Sequence, residues 1–151
     1  MLSEIKKISS LLLSVAFSSI GFIASITVTV LAAREVSSNP LFVGFPNAVG
    51  VGGAVLGTRM IYLISKNNSQ LNALAFTFLI GAFGGAIMFY SLIVDSFVLL
   101  LFGAFILGIG QSATLQTRYA ASFVASEKFK ATALSLAVWF SVFGSVFGPR
   151  M

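Results

Sequence analysis

The 151-residue chain is 58% apolar and only 9% charged, with a mean hydropathy of +1.03 and a formal net charge of +5. A soluble domain carries about a quarter charged residues because its surface faces water, so this composition excludes a soluble globular domain. Cysteine and histidine are both absent, which excludes thiolate or imidazole metal sites and catalysis by either residue type.

The few charged residues are dispersed rather than clustered. The acids lie singly near the edges of apolar runs, so no two carboxylates are poised for acid–base work: Glu4, Glu35, Asp95 and Glu127. The lysines lie singly or in pairs between apolar runs, whereas a nucleic-acid footprint needs a clustered basic face. We therefore predict no enzyme activity, no cofactor, no metal site and no nucleic-acid partner.

The first two apolar runs predict membrane-spanning helices. A span needs about 20 mostly apolar residues, and residues 8–33 and 41–64 meet this length. The first run is too long for the apolar region of a signal peptide and more spans follow, so it is interpreted as a retained helix. Charge, turn formers and proline break the chain at residues 34–40.

Three further runs predict three further helices. They cover residues 71–93, 97–124 and 131–151, separated by a short turn at Asp95 and a polar break near residues 126–130. The sequence thus predicts an all-α membrane protein with one transmembrane domain, residues 1–151, and about five helices. Short loops indicate that successive helices are antiparallel neighbours.

The placement of basic residues predicts the orientation in the bilayer. With the amino terminus inside, the inner segments hold five basic residues and the outer ones two. Positive charge favours the inner side. We therefore expect a multi-pass protein of the plasma membrane with a cytoplasmic amino terminus, a lipid bilayer around it and a cytoplasmic loop that contains Lys66 and Asn68.

Glycine spacing predicts where helices touch. Three pairs are each four residues apart, which stacks each pair on one helix face: Gly53 and Gly57, Gly81 and Gly85, Gly144 and Gly148. Two interpretations are open. The glycines allow plain helix packing, or they let a helix bend or slide against its neighbour, with Gly144, Gly148 and Pro149 acting as a gate.

The fourth predicted helix is the most polar of the five. Gln111, Thr114 and Arg118 share one face at helical spacing, and this face is the predicted water-accessible pathway. The alternative for Arg118 is that it snorkels to the membrane surface, which it would reach within a turn or two.

Three stretches carry a resemblance to a known family: GIGQSA at 108–113, LQTRYAA at 115–121 and GSVFGP at 144–149. They resemble the fourth and fifth helices of major facilitator superfamily transporters, and the last is similar to that superfamily's fifth-helix antiporter motif. The loop at 65–70 departs from the usual pattern, since it keeps only Lys66 as a basic residue and has Asn68 at the glycine position.

The resemblance implies a function and a larger assembly. Members of the superfamily have two six-helix halves with the substrate held between them. We therefore expect part of a six-helix half, truncated relative to a 12-helix transporter. It would work with the missing carboxy-terminal helices in secondary active transport of a small organic solute, by efflux and alternating access. The alternative is a non-transporting membrane fragment or an assembly partner.

Overall fold

A computed structural model describes residues 2–37, 39–67 and 69–124, together with residues 135, 138–139 and 142. Side chains are described for residues 17–37, 39–66 and 69–117 and for the same isolated residues. The described chain is helical, with a 3-10 turn after the first helix. The elements are α1 (Leu2–Val36), the 3-10 turn Pro40–Phe42, α2 (Phe45–Asn67), α3 (Gln70–Val94) and α4 (Phe97–Val124).

Four stretches within the described residues are long and apolar enough to cross a membrane. They are Phe17–Val36, Pro40–Lys66, Gln70–Val94 and Phe97–Thr117. The predicted all-helical structure is confirmed for the described residues, and these four helices are candidate membrane spans by their length and composition. The predicted fifth helix, 131–151, lies outside the described residues except for the helical positions 135, 138–139 and 142.

The chain divides into two compact units. One is Ser25–Ala113, and the other combines Met1–Ala24 with Thr114–Met151. Each unit is described by itself. The contacts between helices that follow all belong to the Ser25–Ala113 unit.

The first break in the helical chain comes later than the sequence predicts. The charges at 34 and 35 predict a break there, but α1 continues to Val36 and the Ser37 N–H still donates to the Ala33 carbonyl at 3.0 Å. Arg34 is tolerated in the last turn because a cation there complements the helix dipole. The 3-10 turn Pro40–Phe42 follows, and α2 begins only at Phe45. The Asn39 side chain caps this turn, because it accepts a hydrogen bond from the Leu41 N–H at 3.1 Å.

A tight turn joins α3 to α4. Asp95 adopts a left-handed conformation, with φ 53° and ψ 45°, and the Ser96 N–H donates to the Ser91 carbonyl at 3.0 Å. The Asp95 N–H also donates to the Ser91 carbonyl, and the two bonds satisfy this carbonyl in the manner of a helix C-cap. Ser96 precedes α4 and caps its first turn, because the Ser96 carbonyl accepts from the Leu100 N–H and the Ser96 hydroxyl accepts from the Leu99 N–H.

The buried cluster of the Ser25–Ala113 unit is built from α1, α3 and α4. Its members are mostly small: Ala32, Ala33, Met88, Leu100 and Ala104. Large apolar side chains instead point outward, as lipid contact allows. Among the four candidate spans, the one in α4 is the most buried. In its most apolar stretch 44% of the residues are buried, compared with 22–28% in the other three spans. Within the Ser25–Ala113 unit, α4 contributes Leu100 and Ala104 to the buried cluster.

Candidate functional site: the faces of α4

One side of α2 packs backbone to backbone on α4. A β-carbon on Gly57 would lie 2.6 Å from the Ile109 carbonyl oxygen, and one on Gly108 would lie 2.7 Å from the carbonyl carbon of Gly50. Gly53 is equally pressed against α4. The structure therefore places both predicted glycines of α2 in this contact, and it adds Gly50 and Gly108.

A second glycine contact joins α3 to α4. A β-carbon on Gly81 would lie 2.6 Å from the Gly110 α-carbon, and one on Gly84 would lie 2.8 Å from the Leu107 α-carbon. Gly85 is different, because a β-carbon there would meet only the Leu107 Cδ1 atom at 3.9 Å. The prediction that Gly81 and Gly85 both contact a neighbouring helix is therefore wrong for Gly85. Gly84 makes the close contact instead. Spacings of three and four both fall on one helix face.

The two contacts use different sides of α4. Gly108 and Gly110 are two residues apart, so they point about 200° apart around the helix, toward α2 and α3 respectively. Close backbone approach of this kind gives van der Waals packing in a membrane, where the hydrophobic effect does not drive helices together.

A polar contact joins α4 to α1. The Gln111 Nε2 donates a hydrogen bond to the Ser25 hydroxyl at 3.0 Å, and both side chains are half-buried. The Ser25 carbonyl in turn accepts from the Thr29 hydroxyl at 2.6 Å. Ser25 was not predicted from the sequence, although Ser25 and Thr29 are four residues apart in an otherwise apolar run and so share one helix face.

The other hydroxyls within the Ser25–Ala113 spans mostly bond to their own helix. The Thr58 hydroxyl donates to the Ala54 carbonyl at 3.0 Å, and the Thr77 hydroxyl donates to the Ala73 carbonyl at 2.8 Å. Such bonds satisfy a polar group in lipid without a partner helix. The bond between Gln111 and Ser25 differs because it links two helices.

The remaining predicted residues are placed as follows. Thr114 is 5% exposed and belongs to the unit of Met1–Ala24 and Thr114–Met151, whereas Gln111 belongs to Ser25–Ala113. Arg118 lies in α4, and its side chain is outside the described part of the chain. Lys66 is exposed in the last turn of α2. The described residues do not include Asn68, Gly144, Gly148 and Pro149.

No metal site is evident in the described part of the chain. Within those residues, no group of three or more acidic, histidine or cysteine side chains lies close enough together to hold an ion. The arrangement around α4 offers amide and hydroxyl groups, which can form hydrogen bonds with a polar solute.

Two curated proteins of Bacillus subtilis (strain 168) are similar to this chain. The "Uncharacterized MFS-type transporter YdeG" is 31% identical over 139 residues, which cover 92% of the chain and 32% of that protein. The "Uncharacterized MFS-type transporter YddS" is 32% identical over 146 residues, which cover 97% of the chain and 34% of that protein. The chain thus spans about a third of the length of these relatives. No family model matches the chain, and no solved structure matches it.

Proposed function

This chain is related over more than nine-tenths of its length to transporters of the major facilitator superfamily, and we propose that it forms part of a secondary active transporter. That relationship confirms the predicted resemblance, and the relatives are transporters rather than enzymes. The proposed activity is efflux of a small organic solute across the plasma membrane by alternating access. The amino terminus faces the cytoplasm in this proposal.

The observation that supports a solute pathway best is the hydrogen bond between Gln111 and Ser25. Polar groups within a membrane span are costly, and they mark substrate pathways when they face the interior of a bundle. An amide and a hydroxyl held together at half burial suit the recognition of a polar solute group. We assign Gln111, Thr114 and Arg118 to the pathway in this proposal and add Ser25.

The glycine contacts support movement of α4 in the same proposal. Gly53 and Gly57 let α4 shift against α2 with little steric resistance, which alternating access requires of helices that line a pathway. Gly144, Gly148 and Pro149 are proposed to form a gate against a helix of the opposite half. Lys66 and Asn68 belong to the proposed cytoplasmic loop between α2 and α3.

The second candidate function does not involve transport by this chain. The chain spans about a third of its relatives, and the proposed substrate site between two halves needs helices from both. The alternative proposal is a non-transporting membrane fragment, or an assembly partner of a separate chain that supplies further helices.

The test compares solute export with and without the gene. Cells that express the chain, alone and joined to the remaining length of the YddS relative, are compared with empty cells by untargeted mass spectrometry of cells and medium. We expect a solute that accumulates in the medium of energised cells and no longer does so after an uncoupler is added. Gln111→Leu should abolish this export at equal membrane abundance. Thr58→Val should leave it unchanged, because that hydroxyl bonds only within its own helix.

The outcomes separate the two functions. Export that depends on Gln111 supports the transporter. If neither form of the chain changes any solute in the medium, the transporter proposal fails and the non-transporting alternative takes its place.

A further inference from the structure

A groove lies where α1 ends and the 3-10 turn begins. Its volume is about 460 Å³, and it is lined by Arg34, Ser37, Pro40 and Val43. This volume falls within the range of about 300–1,000 Å³ that is typical of small-molecule sites. The groove is part of the Ser25–Ala113 unit.

The cation beside the groove is free to bind an anion. Arg34 is exposed, and within the described part of the chain its guanidinium makes no hydrogen bond or ion pair. Glu35 is the next residue, but it does not line the groove. The Ser37 hydroxyl donates to the Asn39 carbonyl at 3.1 Å, so this hydroxyl hydrogen is already used within the turn. Arg34 is the charged residue among those that line the groove.

The position of the groove points to a lipid rather than to a soluble anion. The apolar span of α1 ends at Val36 and the next span begins at Pro40, so the groove lies at the boundary where phospholipid headgroups are found. Two exposed apolar side chains lie close to the lining residues in the chain. Leu31 lies one turn before Arg34 on the same face and is 54% exposed, and Leu41 is 85% exposed.

We propose that this groove binds the phosphate group of a membrane phospholipid, with Arg34 as the cationic ligand and Leu31 and Leu41 against the acyl chains. A guanidinium can bind two phosphate oxygens at once through parallel N–H groups. The apolar residues hold the chains of the same lipid molecule, so the site recognises the headgroup and the tail together. This proposal does not depend on transport.

The test uses the full 151-residue chain, purified in detergent with its lipid removed. Native mass spectrometry measures binding of palmitoyl-oleoyl phosphatidylglycerol, of diacylglycerol with the same chains and of inorganic phosphate. We expect the wild-type chain to bind phosphatidylglycerol more tightly than either of the others. Arg34→Gln should weaken phosphatidylglycerol binding by at least about tenfold, since a charge-assisted hydrogen bond is lost. Arg34→Lys should restore part of that loss, because lysine supplies a charge without the planar fork.

The matched control is Arg59→Gln, which removes an exposed arginine of α2 that does not line the groove. It should bind phosphatidylglycerol as the wild-type chain does. Circular dichroism establishes that each variant keeps its helical content. Equal lipid binding by Arg34→Gln and the wild-type chain would overturn the proposal. Two further results would also overturn it: equal binding of diacylglycerol, or equally tight binding of inorganic phosphate, which would assign the groove to a soluble anion.

Discussion

Gly81 of α3 and Gly110 of α4 lie so close that neither position has room for a side chain. A β-carbon on Gly81 would lie 2.6 Å from the Gly110 α-carbon, and the neighbouring atoms are backbone atoms that cannot turn aside. Real β-carbons do not approach other atoms this closely, so any larger residue must push the two helices apart. The contact thus fixes the distance between α3 and α4.

The first prediction compares two glycines of α3. Gly81→Ala should destabilise the protein by about 1–3 kcal/mol, because overpacking forces the backbone to shift. Gly85→Ala is the matched control, since a β-carbon there meets only a side-chain methyl at 3.9 Å. It should be neutral or stabilise by about 0.5–1 kcal/mol, through the higher helix propensity of alanine. Thermal unfolding in detergent measures both, and equal midpoints for the two variants would contradict the close contact.

The contrast between Gly84 and Gly85 shows what the sequence could and could not predict about packing. Glycine spacing correctly drew attention to α2 and α3 as contact helices. The positions three and four residues after Gly81, Gly84 and Gly85, both lie on the same helix face as Gly81. The rotation of α3 about its axis determines which of the two contacts α4. That rotation is set by the neighbouring helix, so the local sequence does not determine it.

The second prediction concerns the bond between Gln111 and Ser25. A double-mutant cycle with Gln111→Leu and Ser25→Ala should give a coupling energy of about 0.6 kcal/mol, which is typical of hydrogen bonds between membrane helices. Thermal unfolding of the four proteins in detergent provides the measurement. Pairing Gln111→Leu with Thr58→Val is the control and should show additive effects. Additive effects in the Gln111 and Ser25 cycle would mean that this bond contributes nothing to stability.

The same pair shows where prediction of the candidate site stops. Gln111 stands out in the sequence because a polar amide is rare in an apolar span. Its partner lies 86 residues earlier in the chain, and a single sequence does not specify which helices are neighbours. The short loop at Asp95, by contrast, was predictable, because a charge followed by serine interrupts the apolar pattern locally.

The third prediction concerns Asp95, whose φ of 53° is the one positive value among the described non-glycine residues. Asp95→Gly should stabilise the protein by about 0.5–1 kcal/mol, because glycine adopts this conformation without a steric penalty. Asp95→Val should destabilise, since a β-branched side chain opposes a positive φ. The thermal midpoint should be highest for Asp95→Gly, intermediate for the wild-type chain and lowest for Asp95→Val. The reverse order would contradict the left-handed turn.

The last prediction tests the orientation of α3 in the membrane. At about 1.5 Å per residue, the 25 residues of α3 extend about 37 Å, more than the hydrocarbon core of about 30 Å. The two ends of α3 should therefore lie on opposite sides of the bilayer. Ser69 and Asp95 flank these ends and are both exposed, and the chain has no native cysteine to interfere with labelling.

Single-cysteine labelling decides this orientation directly. In intact cells, a membrane-impermeant maleimide should react with the Asp95→Cys variant and spare the Ser69→Cys variant, because basic residues favour the cytoplasmic side and Lys66 lies beside Ser69. Both variants should react after the cells are permeabilised, which controls for burial of the introduced thiol. If only Ser69→Cys is labelled in intact cells, α3 has the opposite orientation. The predicted cytoplasmic placement of Lys66 and the amino terminus would then be wrong. Labelling of both variants in intact cells would show that α3 does not cross the membrane between these residues.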